Sequence, residues 1–359
     1  MRIALLNLPI DNNYGGNLQR YALMKVLQDM GHDVTHISLY SKARLRWYMA
    51  PLVYLKRFVY KYLFGKSIII NQEVKINQLY QERLEIIKPF YNEYIKHTTP
   101  CYTVKDIQRV TVRKYDAFVV GSDQCWRKDM NDSVGWKTFL FNFLTDKDVK
   151  RIAYGASFGK ETTTYNETEA REFNQLYKMF TAVSVRERTG LDILCSMGCT
   201  TPTPQVVLDP TLLLNQDDYQ RLMEKEKFPS PAKGKVFCYV LDKTDDIEKK
   251  AQAKASELGT EVVFYGIKGS DGLSIEMWLK SIYEAEYVIT DSYHGSVFSL
   301  IFNKPFDFCG NERRGNTRVE NLFNLFGIEK TGTIDYSIIS PRIEEYKKAS
   351  LAFLSNSLK

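Results

Sequence analysis

Short apolar runs alternate with helical stretches along most of this chain, and the alternation constrains its fold more than any other feature. The first run covers residues 3–8 and is interrupted only by Asn7, as expected of a strand buried on both faces. A polar loop, a helical stretch closed by Gly31 and a second predicted strand over 34–39 follow. This strand–helix–strand order is typical of a parallel sheet. The sequence therefore predicts an α/β fold.

The alternation returns in the second half of the chain, where strands are predicted over 236–241, 261–265, 287–290 and 306–309. Pro202 and Pro204 mark a linker between the halves, and 359 residues exceed one ordinary domain. We predict two Rossmann-like, doubly wound domains facing each other across a cleft, an arrangement resembling the GT-B fold. The predicted boundaries are 1–204 for the N-terminal domain with a largely helical insertion at about 42–98, 205–335 for the C-terminal domain, and 336–359 for a helical tail.

Composition excludes several classes of protein. An apolar fraction of 44% and a charged fraction of 26% exclude a disordered, collagen-like or coiled-coil chain. The six cysteines form no C-x-x-C pair, and the first apolar run is too short for a signal peptide, so we expect a cytoplasmic protein with reduced thiols. His32 and His36 are four residues apart but flank a predicted strand, where that spacing does not bring them together. No metal site is predicted.

The basic residues are unevenly distributed. The net charge is +6, yet residues 42–66 hold seven basic side chains and no acidic one. No nucleic-acid-binding module accompanies this stretch, so an acidic small substrate or an anionic membrane surface is the expected partner. On a helix, its residues would separate onto two faces, with Leu52, Leu55, Val59, Tyr62 and Leu63 on one and Lys56, Arg57 and Lys61 nearer the other. Two interpretations stay open: a helix packed on the first domain with a solvated basic face, or peripheral attachment to the cytoplasmic membrane face.

The segment 290–296, Thr-Asp-Ser-Tyr-His-Gly-Ser, lies between a predicted strand and a predicted helix. Ligands of doubly wound sheets bind outside the carboxyl ends of strands, and a helix N-terminus at that edge attracts anions. Asp291 or Ser292 would cap the helix, Gly295 would let a substrate approach the backbone, and His294 would project at the mouth of the cleft. The alternative is that His294 is solvated and its neighbours only cap the helix.

Arg186 and Arg188 flank Glu187 after the strand predicted over 182–185. Two guanidinium groups at a strand end suit bidentate capture of a phosphate or carboxylate. A surface ion pair among the three residues is the alternative interpretation.

Asp123 and Trp126 follow the strand predicted over 115–121. The carboxylate there could accept hydrogen bonds from sugar hydroxyls, and the indole could stack on a pyranose ring. A capped turn is the alternative interpretation. Asp209, which comes after another predicted strand, is interpreted as the cap of a turn between the domains.

Seven short motifs occur in one order along the chain. They are Asn-Asn-Tyr-Gly-Gly-Asn-Leu-Gln at 12–19, Val-Gly-Ser-Asp-Gln-Cys-Trp at 120–126, Tyr-Gly-Ala-Ser-Phe-Gly at 154–159, Ser-Val-Arg-Glu at 184–187, Leu-Asp-Pro-Thr at 208–211, Thr-Asp-Ser-Tyr-His-Gly at 290–295 and Asn-Lys-Pro-Phe at 303–306. The ordered set resembles the polysaccharide pyruvyl transferase family and spans about residues 3–325. The insertion at 42–98 lies outside the resemblance.

The resemblance implies a GT-B-like fold and transfer of pyruvate from phosphoenolpyruvate to sugar hydroxyls as a ketal, with release of phosphate. It implies phosphoenolpyruvate as donor with no separate cofactor, and a sugar as acceptor. Attachment to the membrane would add a lipid-linked glycan as the expected acceptor, and no nucleic-acid partner is expected because the sequence has no nucleic-acid-binding module. The predicted catalytic residues are His294, as general acid near neutral pH, and Asp123. The residues predicted to bind phosphoenolpyruvate are Arg186, Ser292, Gly295, Ser296 and Lys304, with Arg313, Arg314 and Arg318 as further candidates. The residues predicted to bind the sugar are Tyr14, Gly16, Asn17, Gln124 and Trp126.

Two other functions compete with this one. A GT-B glycosyltransferase using a nucleotide sugar would need a carboxylate for the ribose in the second half, and Glu276 is the candidate. A non-catalytic sugar- or anion-binding module is less consistent with the sequence, because it would give His294, Arg186 and Asp123 no reason to lie together.

Overall fold

The computed structural model describes residues 1–112, 115–131, 134–146, 148–266, 272–310, 317–328 and 334–359. Its strands are β1 (Arg2–Leu6), β2 (Asp33–His36), β3 (Ala117–Val120), β4 (Lys150–Ala156), β5 (Ala182–Val185), β6 (Gln205–Val206), β7 (Val236–Tyr239), β8 (Val262–Tyr265), β9 (Tyr287–Thr290) and β10 (Phe306–Phe308). The first six form one sheet in the order β2-β1-β3-β4-β5-β6, and the last four form a second sheet in the order β10-β9-β7-β8. Among the described residues, every strand pair within the two sheets is parallel. The two parallel sheets confirm the predicted α/β class.

Helices connect and cover both sheets. They are α1 (Tyr14–Asp29), α2 (Ala50–Tyr62), α3 (Gln72–Leu84), α4 (Lys88–Tyr94), α5 (Val104–Thr111), α6 (Glu167–Tyr177), α7 (Arg188–Ser196), α8 (Gln216–Met223), α9 (Asp245–Leu258), α10 (Ile275–Glu284), α11 (Tyr293–Ile301), α12 (Thr317–Phe326) and α13 (Tyr336–Leu358). The central strands β3 and β7 are short, apolar and buried along their whole length, because both faces of a covered parallel sheet are buried.

The strand orders place two topological switch points. In the first sheet, β1 pairs with β2 on one side and β3 on the other, so the loops after β1 and β3 leave in opposite directions and open a crevice. In the second sheet, β7 lies between β8 and β9, and a crevice opens outside β7 and β9 in the same way. The polar loops singled out in the sequence at 11–17, 121–126 and 290–296 follow β1, β3 and β9.

One apolar cluster extends from β1 and α1 of the first sheet to α10 and α11 of the second. Within it, the Tyr14 ring stacks on Trp278 with 5.4 Å between ring centroids, and the Tyr14 hydroxyl donates to the carbonyl of Leu273 at 2.7 Å. The C-terminal helix α13 returns to the first sheet, where Ser350 Oγ accepts from the backbone amide of Leu208 at 2.9 Å. The two sheets are therefore held together by helices that belong to both halves of the chain.

Four helices, α2–α5, lie between β2 and β3. None of the helices in the described residues is both long enough and apolar enough to cross a membrane.

Candidate active site

The segment after β9 folds as a capped helix start. Ser292 is the N-cap of α11, and its hydroxyl accepts from the amide of Gly295 at 3.4 Å. Asp291 does not cap this helix. Its carboxylate accepts from the amides of Leu241 at 2.7 Å and Asp242 at 3.0 Å, so it binds the loop after β9 to the loop after β7 at the switch point.

The sequence predicted that His294 projects at the mouth of the cleft. In the structure the side chain is buried instead. Its ring packs against α1, where a Cβ built on Gly15 would lie 1.9 Å from the imidazole Nδ1. The residue is 6% exposed. Its Nε2 lies 3.9 Å from Asp209 Oδ2 and has no hydrogen-bond partner among the described residues. Burial, opposed by the nearby Asp209 carboxylate, lowers the pKa of His294 from 6.5 to about 4, so the resting imidazole is neutral at pH 7.

Asp209 connects His294 to the first sheet. Its carboxylate accepts from Arg186 Nη1 at 2.8 Å, from the amide and hydroxyl of Thr211 at 3.0 and 2.7 Å, and from the side-chain amide of Gln19. The cap predicted for Asp209 is present, since it accepts from the amide of Thr211. Burial raises the pKa of Asp209, but Arg186, His294 and the hydrogen bonds from Thr211 together outweigh it, and the pKa is lowered overall. Asp209 is therefore a buried carboxylate anion at neutral pH.

Sequence reasoning missed this wider role of Asp209 and did not single out Gln19. The available signal was that an acidic residue follows the carboxyl end of β6, at the same sheet edge as the other site loops.

Arg186 lies at the end of β5 among three carboxylates. Besides the hydrogen bond to Asp209, it is 3.4 Å from Glu187 and 3.8 Å from Asp123. Burial lowers the pKa of the Arg186 guanidinium, but Tyr293 and the three carboxylates outweigh it and raise the pKa overall. Its Nη2 makes no hydrogen bond to any described residue. Of the ion pairs predicted among residues 186–188 as the alternative, the one between Arg186 and Glu187 is present, and it is internal rather than at the surface.

A second arginine from a distant part of the chain reaches the same place. Arg318, in α12, lies with its Cζ 5.8 Å from the centroid of the Tyr293 ring, and the Arg186 Cζ lies 4.8 Å from that centroid. Arg318 Nη1 is 4.0 Å from Asp123 Oδ1. Burial and the positive charge of Arg186 lower the pKa of Arg318. Two cations thus lie close together, and a bound anion would relieve their repulsion.

A cavity of about 420 Å³ opens beside these side chains. Its wall includes Arg186, Arg188, Asp209, Tyr293 and Arg318. His294 is not part of this wall, but its Nε2 lies 3.9 Å from Asp209 Oδ2, which is. A cavity of this size, with a few convergent polar groups, is typical of a small-molecule site. Of the predicted basic cluster at 313–318, only Arg318 can be placed, because Arg313 and Arg314 lie outside the described residues.

Asp123 directs its carboxylate at this pair of arginines. It adopts a left-handed backbone conformation with φ 80° directly after β3, and its carbonyl accepts from the amides of Cys125 at 2.7 Å and Ser157 at 3.0 Å. The structure therefore brings together three of the predicted residues: His294, Arg186 and Asp123.

The prediction that Trp126 stacks on a sugar is wrong. The indole is 1% exposed and packs in the core against Phe158 and Phe173, with centroids 5.7 and 5.5 Å away. Its Nε1 donates to the carbonyl of Phe139 at 3.2 Å. The apolar ring is buried because the helix and strand around it supply aromatic partners that a solvent-facing position would lack.

The loop before α1 is held by its own side chains. Asn17 is fully buried and donates to the carbonyls of Asp11 at 3.0 Å and Asn13 at 2.9 Å. The amide of Gly16 donates to the Asn13 side chain at 3.3 Å, which caps the helix. With Tyr14 bonded to Leu273, these three predicted sugar contacts are committed to internal bonds. Their polar groups are used to fix the loop, so the structure contradicts a direct role in sugar binding.

Gln124 is also buried, and its side-chain oxygen accepts from Arg127 Nη1 at 2.8 Å. It lies beside Gly159, where a Cβ would approach Gln124 Oε1 to 2.3 Å. Gln124 therefore packs two loops of the first sheet together rather than presenting an amide to a sugar.

Three residues predicted to bind phosphoenolpyruvate have structural roles instead. Gly295 lies against Thr290, where a Cβ would be 2.2 Å from the Thr290 hydroxyl, so the glycine allows the helix to approach the strand. Ser296 is fully buried and donates to the carbonyl of Ser292 at 3.3 Å. Lys304 donates to the carbonyl of Ala285 at 3.0 Å, just before β9, at the opposite edge of the sheet from His294. Lys304 follows α11 and precedes β10, so it lies where the strands begin, whereas His294 follows the carboxyl end of β9.

The chain matches the family model described as polysaccharide pyruvyl transferase over residues 13–313. No curated protein matches the chain.

Solved structures resemble the chain at low identity. UDP-GlcNAc 2-epimerase from Neisseria meningitidis, solved with UDP-GlcNAc bound, is 11% identical with a TM-score of 0.47, covering 100% of this chain and 99% of that one. The epimerase from Rickettsia bellii is 10% identical with a TM-score of 0.48, covering 99% and 96%. The wall teichoic acid polymerase TagF is 10% identical with a TM-score of 0.44, covering 99% and 82%. Similarity at this level says nothing about substrate or reaction.

Proposed function

Because the chain belongs to the polysaccharide pyruvyl transferase family, we propose that it transfers pyruvate from phosphoenolpyruvate to two hydroxyls of a sugar in a polysaccharide or its lipid-linked precursor. The methylene carbon of the donor gains a proton and becomes a methyl group. Two C–O bonds form at C2 to the sugar oxygens, and the C2–O bond to phosphate breaks. Of the two hydroxyl protons, one balances the new methyl C–H and the other leaves on phosphate, so the products are a cyclic ketal and inorganic phosphate.

The observation that carries this proposal is the pair of arginines on the wall of the cavity. Phosphoenolpyruvate has a carboxylate and a phosphate, so its binding requires two cationic groups a short distance apart. Arg186 and Arg318, whose Cζ atoms lie 4.8 and 5.8 Å from the centroid of the Tyr293 ring, supply them. The Nη2 of Arg186 makes no hydrogen bond to a described residue. Guanidinium groups suit both anions because they can donate two parallel hydrogen bonds.

His294 is proposed to move the proton. Burial depresses the pKa of His294 to about 4, so its imidazole is neutral in the free protein, and the N–H of a neutral imidazole is too weak an acid to protonate carbon. A bound trianion would offset the positive charges of Arg186 and Arg318, which also lower the pKa of His294. We therefore propose that His294 becomes protonated only in the complex and then delivers its proton to the methylene carbon.

Asp123 is proposed to accept the proton of the attacking hydroxyl. Its carboxylate faces the two arginines at 3.8 and 4.0 Å, so it is close to where the donor's charged groups would lie. A carboxylate beside the developing positive charge at C2 would also stabilise that charge.

The test is phosphate release from phosphoenolpyruvate in the presence of candidate glycan or lipid-linked acceptors, with the ketal product identified by mass spectrometry. A thermal-shift experiment distinguishes the donor. Phosphoenolpyruvate should raise the melting temperature of the wild type and not that of Arg318→Gln, whereas the exposed Arg83→Gln serves as a control that keeps the full shift. Stabilisation by a nucleotide sugar and not by phosphoenolpyruvate would contradict the proposal and support the glycosyltransferase alternative.

A further inference from the structure

The helix α2 is folded without burying any of its residues. Among the described residues, α2 is tied to the segment that follows it through the side chain of Arg57. The guanidinium donates to both Glu73 carboxylate oxygens at 2.8 and 2.7 Å and to the carbonyl of Ile70 at 2.9 Å. A helix of 13 residues is only marginally stable in water by itself. Its outer face therefore lacks the cover that stabilises helices of this length.

Around α2 lies an apolar surface, which we term the insertion patch. It consists of the exposed side chains of Trp47, Tyr48, Met49, Leu52, Leu55, Phe58, Tyr62, Leu63 and Phe64. Trp47 is 86% exposed and Leu63 76%, values ordinary for lysines but not for large apolar residues that cluster. Contiguous exposed apolar surface of this kind marks an interaction site.

The charges around the patch identify the kind of surface it fits. Residues 42–66 contain seven basic residues and no acidic one. On a helix that turns about 100° per residue, Lys56 and Lys61 lie to either side of Leu55, so both edges of the apolar stripe are basic. Arg57 points inward to Glu73, which corrects the prediction that it shares the outer basic face.

We propose that the insertion patch rests in the interface of an anionic bilayer, with its apolar side chains at the level of the acyl chains and its lysines at the lipid phosphates. Tryptophan and tyrosine favour this depth in membranes, and a stripe of apolar residues edged by lysines is the pattern of an interfacial helix. A second copy of this chain fits less well, because a two-fold contact would bring Lys56, Lys61 and Lys66 near their own copies with no carboxylate in 42–66 to pair with them. The proposal does not depend on the proposed reaction.

Co-sedimentation with vesicles tests it on the full chain. The wild type should pellet with vesicles of phosphatidylcholine and phosphatidylglycerol, not with phosphatidylcholine alone, and should be released by salt. Lys56→Glu/Lys61→Glu/Lys66→Glu should lower the partition coefficient by more than a hundredfold, since the loss of three basic residues at about 1 kcal/mol each already accounts for about a hundredfold and an anionic surface repels the three new carboxylates. The control Lys227→Glu/Lys249→Glu/Lys348→Glu makes the same change in net charge on exposed lysines elsewhere and should bind like the wild type.

A second pair of variants tests the apolar part at constant charge. Leu55→Ser/Phe58→Ser should weaken binding, while Val112→Ser/Phe228→Ser, which alters exposed apolar residues away from the patch, should not. Thermal unfolding of every variant shows that it is folded. Failure of the wild type to pellet with anionic vesicles at low salt, or equal binding of both lysine variants, would overturn the proposal. So would a concentration-dependent dimer that Leu55→Ser/Phe58→Ser abolishes while vesicle binding stays unchanged.

Discussion

Gly15 and His294 are in direct contact across the two halves of the chain, and no side chain larger than hydrogen fits at Gly15. A Cβ there would lie 1.9 Å from the imidazole Nδ1 and 2.1 Å from Cγ. The first turn of α1 therefore acts as the wall that holds His294 toward Asp209. The spacing of the glycine pair after β1 matches no phosphate-binding loop, and it is Gly15 of this pair that has the packing role.

Gly15→Ala is expected to displace the His294 ring and lower phosphate release by roughly tenfold or more, because small misplacements of a catalytic group are costly. Gly16→Ala is the matched control, since a Cβ at that position meets Asn13 at 3.7 Å, an ordinary contact. Turnover and thermal midpoint should be measured for both. Equal turnover in the two variants would show that the position of His294 does not matter to the reaction.

His294→Ala should lower turnover by roughly 10²-fold or more while the protein stays folded, as expected when a general acid is removed. The readout is the rate of phosphate release at saturating phosphoenolpyruvate. His32→Ala, at a partly exposed position near the N-terminus, should retain wild-type turnover. Wild-type turnover in His294→Ala would leave that residue a structural role only.

Arg186→Lys keeps the charge that Asp209 requires but loses the guanidinium fork, so it should raise the KM for phosphoenolpyruvate while the protein remains folded. Arg186→Ala should in addition destabilise the protein by about 3–5 kcal/mol, because it leaves the buried Asp209 carboxylate without its partner. Urea unfolding and steady-state kinetics separate the two effects. An unchanged KM in Arg186→Lys would argue against donor binding at this residue.

The depressed pKa of His294 predicts a pH dependence of stability. Between pH 6.5 and about 4, the unfolded state binds a proton at this residue and the folded state does not, so the free energy of unfolding falls as pH falls through that window. His36, whose pKa burial lowers well below 6.5, contributes in the same direction. His294→Gln should therefore lose less stability than the wild type between pH 7 and pH 5 in urea unfolding. Parallel losses in the two proteins would contradict a neutral, buried His294.

Trp126→Phe should lower the free energy of unfolding by about 1–3 kcal/mol, through the lost packing and the lost hydrogen bond to Phe139. The KM of the Trp126→Phe variant for the sugar acceptor should equal that of the wild type, because the indole ring lies in the core and not in the site. A raised acceptor KM at unchanged stability would instead restore the sugar-stacking interpretation.

Local pattern was sufficient to predict the fold class. Strand periodicity and burial depend on neighbours along the chain, so the predicted strand at 182–185 coincides with β5, and that at 287–290 with β9. The same pattern located the polar loops, because a loop after a buried strand must lie at a sheet edge. It also located Arg186 and Asp123 at strand ends of one edge.

The sequence by itself therefore determined the α/β class, the helical insertion pattern and the family, whereas only the tertiary structure decided which side chains meet. Asp209 became the link between Arg186 and His294 through contacts that join residues 23 and 85 positions away, as their residue numbers show. Trp126 turned into the core and Lys304 to the opposite edge of its sheet. The physical reason is that periodicity reports which face of an element is buried, while side-chain direction and partners depend on packing between elements distant in sequence.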